Sequence, residues 1–255
     1  MTKRSTARTR PGGESRGGER SLADGVPLTY PWAYRLAFWL MRLLFDRYLT
    51  THIIDRDNLP PPGNGAIIAF SHGSALDYVA GHAYGNPGFV ALKREAAFGP
   101  LRWIGGIPIK RDEQDMVALR SMRAVLAAGF MLGIAPEGTR SRDGRLLPFD
   151  PGFVWLALKA GVPVFPCAIH GTHLLLPPGR FIPRRGTIWI KFGDPMRWPD
   201  AGPRPSREAM QAMADATREA VLALMADLEA ISGIESPALA WERAAGGANA
   251  PVPRP

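Results

Sequence analysis

The run from Ala66 to Tyr78 reads AIIAFSHGSALDY, which places Ser71, His72 and Gly73 directly after an apolar stretch and Asp77 five residues beyond the histidine. A neutral imidazole can take the proton of a hydroxyl while that oxygen attacks a carbonyl. A carboxylate on the other ring nitrogen then fixes the tautomer and stabilises the imidazolium that forms. Acyl transfer needs little more. Histidine and aspartate also meet at such spacings in loops that do no chemistry, so the pair alone is a candidate.

Two further segments could hold a substrate for that pair. In IAPEGTRS, Pro136, Glu137, Gly138, Thr139, Arg140 and Ser141 follow another apolar run. Gly138 allows close approach of the backbone to a ligand, Arg140 can grip a phosphate through two parallel hydrogen bonds, and Glu137 can accept from hydroxyls. The alternative is that Glu137 and Arg140 simply pair with each other. In GGIPIKR, Lys110 and Arg111 would add phosphate ligands if their loop faces the same cleft, and are two solvated charges otherwise.

These loops need a scaffold that brings them together. Short apolar runs at 66–70, 89–92, 131–135, 162–169 and 187–192 read as strands, and segments at 76–84, 115–128 and 153–160 read as helices between them. Strands separated by helices predict an α/β fold: a single domain with a largely parallel central sheet flanked by helices. Its reactive groups should gather in loops at one end of the strands. A last helix over 206–232 carries Met210, Met213, Thr217, Val221, Leu224, Met225 and Leu228 at helical spacing and stops at Gly233. Cys167 reads as a small core residue of its strand, and His170 and His173 follow that strand at the cleft end.

Upstream, WAYRLAFWLMRLLFDRYL at 32–49 is the most apolar stretch, but Arg35, Arg42, Asp46 and Arg47 interrupt any uncharged run long enough to span a bilayer. The charges Arg35, Arg42 and Asp46 share one stripe. Leu36, Phe38, Leu40, Met41, Leu43, Leu44 and Phe45 cover much of the rest, the pattern of an amphipathic N-terminal helix lying in a membrane interface. Packing on the domain's own core is the alternative.

The 255 residues suffice for one substantial domain with tails. The expected division is a disordered basic tail at 1–27, the interfacial helix at 28–50, a catalytic domain at 51–235 with its motifs at 66–173, and a flexible Pro/Ala/Gly tail at 236–255. A net charge of +8 favours anionic partners, an anionic membrane surface among them. The single cysteine excludes an intrachain disulfide and a cysteine-based zinc site. No secretory signal pattern is visible at the N-terminus, so a peripheral position on the cytoplasmic face of the cell membrane is expected.

Taken in order, the His72 to Asp77 box, the GIPIKR segment ending at Arg111, the PEGTRS run at 136–141 and the Gly161-Val162-Pro163-Val164 entry resemble the glycerolipid acyltransferases that include 1-acylglycerol-3-phosphate acyltransferase. The resemblance implies His72 as general base oriented by Asp77. It implies that Arg111 and the loop with Glu137, Gly138, Thr139 and Arg140 hold a phosphorylated glycerolipid acceptor. The acyl thioester donor would be acyl-CoA or acyl carrier protein, as co-substrate, with no cofactor and no metal. Ala135 stands where the family often carries an aromatic residue, and Phe149-Asp150-Pro151-Gly152 lacks a lysine that is common there.

Two rival readings start from the same residues. Ala69-Phe70-Ser71-His72-Gly73 approximates the nucleophile elbow of α/β-hydrolases, which would make Ser71 the nucleophile, but the upstream glycine run for an oxyanion hole is missing. A basic adaptor for membrane or nucleic acid accounts for the charge and leaves the ordered motifs without a task. No nucleic-acid partner is expected, because no stacking positions of an RNA-binding module are apparent.

Overall fold

The computed structural model describes residues 32–245 except 62, 75, 78–79, 81–87, 94–105, 110–114, 140, 142–144, 178–179, 181 and 203. Its centre is a seven-stranded sheet in the order β1-β7-β6-β2-β5-β3-β4. The strands are β1 (Leu49–Ile54), β2 (Ala66–Phe70), β3 (Gly88–Lys93), β4 (Gly106–Ile109), β5 (Met131–Ile134), β6 (Val164–His170) and β7 (Gly186–Phe192). All neighbours run parallel except β6 and β7. The C-terminal ends of β2, β3, β4, β5 and β6 therefore lie along one edge, and the N-terminal ends of β1 and β7 join them there.

Burial follows position in the sheet. Every residue of β6 is buried, as a central strand covered on both faces requires. In β7, nearer the edge, burial alternates at Ile188, Ile190 and Phe192. One face of the sheet, with Ile67, Ala69, Leu132, Val164 and Ala168, packs beneath helices α2 (Met116–Ala127), α3 (Gly152–Ala160) and α5 (Arg207–Ser232). The other face, with Phe70, Cys167, Ile169, Ile188 and Ile190, forms a second core with Leu49, Leu76 and Leu175.

Local signals set the helix ends. Asp115 caps α2 by accepting from the Ala118 N–H at 3.0 Å, and Ser206 caps α5 by accepting from the Ala209 N–H at 3.1 Å. Helix α5 ends at Gly233, whose φ of 68° is the left-handed conformation that a helix stop requires. Its buried stripe runs Ala214, Thr217, Val221, Leu224, Met225 and Leu228, and this lays α5 along β6.

Three features differ from expectation. The stretch expected as a flexible tail from 236 contains a helix, α6 (Pro237–Ala245). Proline is tolerated at a first helical position, and Ala238 is buried while Arg243 pairs with Glu229 and Glu235, so tertiary contacts override an unpromising composition. The GIPI part of the GIPIKR segment is the edge strand β4, where a proline can sit because one side needs no ladder partner. Residues 49–54 form the opposite edge, β1. Ahead of it, α1 (Trp32–Tyr48) occupies most of the stretch expected to be an interfacial helix. No helix among the described residues is long and apolar enough to cross a membrane. The tail at 1–27 lies outside the described residues.

Candidate active site

Leaving β2, the chain first turns Ser71 inward. Its N–H donates to the Cys167 carbonyl at 3.4 Å and its hydroxyl oxygen accepts from the Ile169 N–H at 3.5 Å, so at 4% exposure it is stitched to β6 rather than offered to a cleft. This removes the main support for a serine nucleophile. The next residue, His72, keeps 21% of its side chain exposed, with Nδ1 3.4 Å from Asp77 Oδ2. Nδ1 is buried, with the Asp77 carboxylate as its charged neighbour but without a hydrogen-bond partner among the described residues, so the other ring nitrogen is the one available to a substrate.

The position of Asp77 follows from its neighbours. Leu76 and Asp77 are helical, the Ser74 hydroxyl oxygen accepts from the Leu76 N–H at 3.3 Å, and Asp77 Oδ2 accepts in return from the Ser74 N–H at 2.6 Å. That is a variant of the capping box in which the hydroxyl takes the second helical N–H, and it turns the carboxylate back toward His72, two residues before the cap. Its other oxygen, Oδ1, accepts from the hydroxyl of Thr172, the first residue of the short helix α4 (Thr172–Leu175) that follows β6. Asp77 is 1% exposed and thus anchored from two strands' ends while facing the imidazole. Thr172 carried no recognisable motif. Its only sequence signal was its place just past a strand predicted to end at the cleft.

Glu137 is arranged differently from expectation. Ala135 to Gly138 form a tight turn closed by the Gly138 N–H to the Ala135 carbonyl at 3.0 Å, with Gly138 at φ 68°. This swings the Glu137 carboxylate inward, where Oε1 accepts from the His72 N–H at 2.9 Å and Oε2 from the Leu147 N–H at 3.0 Å. The His72 carbonyl accepts from the Ser141 N–H at 3.3 Å, a second tie between the two loops. Burial raises the Glu137 pKa to about 7, outweighing the two backbone donors and the nearby imidazole. Glu137 therefore braces the backbone of His72 rather than standing free to meet hydroxyls. Thr139 follows, half-buried, in the same loop. Arg111 and Arg140, with Lys110, lie outside the described residues.

His170 and His173 stand beside this edge with ring centres 5.6 Å apart. His170 is buried, its Nε2 lies 3.1 Å from the Ile234 carbonyl beyond α5, and burial lowers its pKa. The pKa of His173 is lowered by burial and then by His170, with Asp77 opposing. Among the described residues no group of three or more His, Cys, Asp or Glu side chains is placed to share a metal ion.

This geometry can be set beside known proteins. A family model for acyltransferases matches residues 51–170, the span that contains both loops. A 1-acyl-sn-glycerol-3-phosphate acyltransferase of Pseudomonas aeruginosa is 30% identical over 187 residues, covering 69% of this chain and 70% of that protein. The chain belongs to the acyltransferase family. A relative of the same name in Limnanthes douglasii is 44% identical over 80 residues, which cover 31% of this chain and 28% of that protein. In several plant and algal acyltransferases the match spans between 25% and 51% of their own length. Among solved structures, the 1-acyl-sn-glycerophosphate acyltransferase of Thermotoga maritima superposes with a TM-score of 0.60 at 26% identity, covering 76% of this chain and 82% of that one. The acyltransferase match includes both strand ends that carry His72 and Glu137, and it stops at His170, before Thr172 and the C-terminal helices.

Proposed function

We propose that the protein transfers a fatty acyl group from an acyl thioester, carried by coenzyme A or acyl carrier protein, to the free hydroxyl of 1-acylglycerol-3-phosphate or a related lysophospholipid. The observation that carries this reading is the His72–Asp77 pair, with the imidazole partly open to solvent and the carboxylate buried and anchored, within a chain of the acyltransferase family. Nε2 of His72 takes the proton of the acceptor hydroxyl as its oxygen bonds to the thioester carbonyl carbon. The carbon–sulfur bond then breaks, and the departing thiolate takes the proton from the imidazolium. Asp77 holds Nδ1–H toward itself and stabilises that imidazolium. No acyl-enzyme intermediate is needed, since the thioester is already activated and the site has only to hold the two reactants in line.

Arg111 and Arg140 are assigned to the acceptor phosphate, with Gly138 and Thr139 presenting the adjoining loop. The names of the relatives favour lysophosphatidic acid as the acceptor. Because such an acceptor and its diacyl product partition into bilayers, we place the working enzyme at an anionic membrane surface. Helix α1 enters β1 at the catalytic edge with Leu36, Trp39, Leu40 and Leu43 exposed along one face, while Phe45 on the opposite face packs into the core. Beside it the loop before β7 exposes Ile182 with Arg180, Arg184 and Arg185 close by. Arg185 lies over the ring of Tyr48 at the end of α1, and Tyr48 donates its hydroxyl to the Pro183 carbonyl at 2.8 Å.

The direct test incubates purified protein with labelled acyl-CoA or acyl carrier protein and a panel of lysophospholipids, and identifies the product by mass. His72→Ala should reduce transfer by at least about 100-fold while the fold persists, the typical worth of a general base. Ser71→Ala should stay within about 3-fold of the parent. A folded His72→Ala variant that transfers normally would sink the reading, and a dead Ser71→Ala variant with a trapped acyl-serine in the parent would replace it.

A further inference from the structure

We infer that Arg218 on α5 and Glu242 on α6, both beyond the matched acyltransferase span, are positioning residues for His72. The inference rests on the reading of His72 as base, and the contact chain that carries it is continuous. Leu147 is held from two sides: its N–H donates to Glu137 Oε2 at 3.0 Å, and its carbonyl accepts from Arg218 Nε at 3.4 Å. Arg218 Nη2 donates to the adjoining Leu146 carbonyl at 2.8 Å, so the planar guanidinium grips two successive carbonyls. The same Nη2 donates to Glu242 Oε1. Arg218 keeps 17% of its side chain exposed, which makes it a largely enclosed cation whose partners are two backbone carbonyls and carboxylates from α5 and α6.

The remaining ties of this segment reinforce the same grip. Leu146 and Phe149 are core residues, the Phe149 carbonyl accepts from Gln211 Nε2 of α5 at 3.1 Å, and the Asp150 N–H donates to the Pro136 carbonyl at 3.0 Å. Residues 145–150 thus form a strap whose outer side is fastened to α5 and whose inner side fastens Glu137. Glu137 in turn holds the His72 backbone N–H at 2.9 Å. If Arg218 is lost, the Leu146 and Leu147 carbonyls lose the cation that aligns them, the Leu147 N–H is held less firmly against Glu137, and the carboxylate fixes the loop that carries His72 less tightly. The imidazole then samples positions away from the line of attack, and displacements on the order of 1 Å can cost about 100-fold in rate. A helix pair that merely glued α5 and α6 to the domain would not meet the site through a carboxylate bonded to the base's own backbone.

The test uses the full chain with labelled acyl-CoA and 1-acylglycerol-3-phosphate, well below the melting temperature of every variant. Arg218→Gln should lower kcat about 10-fold, with KM for both substrates within about 2-fold, and Arg218→Lys should recover part of the loss by restoring one donor. Glu242→Gln, a milder change, should act in the same direction and keeps the test open if Arg218→Gln does not fold. The deciding arm is the double variant Arg218→Gln/Glu137→Gln, which should be no slower than Glu137→Gln alone, because both changes cut one chain of contacts. Multiplying losses in the double variant, or a lowered melting temperature with parental kcat in both single variants, would overturn the inference. His72→Ala, run alongside, separates the two ideas: parental activity there removes the base, whereas a dead His72→Ala with multiplying losses removes only the relay.

Discussion

Asp77 and Glu137 are carboxylates on loops that leave neighbouring parallel strands at the same edge of the sheet, and both accept from backbone N–H groups. One faces an imidazole and the other is taken up by backbone N–H groups. Asp77 spends one oxygen on the Thr172 hydroxyl and shares the other between the Ser74 N–H and the His72 ring. Glu137 spends each oxygen on a backbone N–H, one of them belonging to His72 itself. In the proposed mechanism the same side-chain chemistry serves the proton transfer at one loop and the geometry of the proton acceptor at the other. What separates the roles is which donors the chain brings to each acid, not the acid.

The largest effect that can break this comparison is expected at Asp77. In Asp77→Asn the amide NH2 can turn toward Nδ1 and favour the wrong imidazole tautomer, and no charge remains to stabilise the imidazolium. Turnover should fall on the order of 100-fold with little change in acceptor KM. Near-parental kcat in a folded Asp77→Asn protein would mean that Asp77, like Glu137, is only structural.

A smaller and differently shaped effect is expected at Glu137. Glutamine offers one carbonyl oxygen for two N–H donors, leaving one of them without a partner, which costs about 1–3 kcal/mol of stability. Turnover should fall about 10-fold through the displaced His72 loop. The pH dependence gives the sign. The folded pKa of about 7 lies above the ordinary 4.5, so the folded state binds this proton more tightly than the unfolded chain. Its contribution is complete below pH 4.5 and is lost as pH rises through 7, so the parent's stability relative to Glu137→Gln should decline across that window. Denaturant titrations of both proteins from pH 4 to 8 check this. A constant difference would mean that the two backbone bonds of Glu137 balance its burial and leave it at its ordinary pKa, and a rising one that they outweigh it.

The contrast between the two acids also marks how far sequence reaches. The pattern of apolar runs found β2 residue for residue and placed α5 between its serine cap and its glycine stop, because strand length, caps and periodicity are local properties. It missed β1 and β4, which sit at the sheet's edges: β4 has four residues and carries Pro108, and β1 begins inside the stretch read as the end of the N-terminal helix and is polar at Thr50, Thr51 and His52. His72 and Asp77 were legible from spacing, and Ser74 could have been read as the cap that aims Asp77. Thr172 was not, since its contact with Asp77 spans 95 residues and exists only because β6 lies beside β2. Glu137 was found for its type and given the wrong partners, because His72 and Leu147 present N–H groups that no residue code records.

The smallest effect on chemistry, and the sharpest control for both acids, is expected at α1. Its exposed face, with Trp39 at 59% exposure, and the neighbouring Ile182 at 73% lie open to solvent whereas Asp77 is buried, so they should govern where the enzyme works and not how fast it turns over. Burying a side chain of this kind in a bilayer interface contributes roughly 1.5–3 kcal/mol, and each arginine of the 180–185 loop held near anionic lipid about 1 kcal/mol more. The second contribution should fade as salt shortens the Debye length, while the first should not. Trp39→Ser/Leu40→Ser/Leu43→Ser should therefore leave kcat on a water-soluble short-chain acceptor within about 2-fold of the parent, yet release the protein from vesicles of neutral and anionic lipid alike. Replacing Arg180, Arg184 and Arg185 with Gln should weaken sedimentation with anionic vesicles only. If the serine variant stays folded and still sediments with neutral vesicles like the parent, α1 is not the membrane contact. If its turnover on the soluble acceptor collapses as well, the helix reaches the chemistry, and the division of labour between site and surface fails.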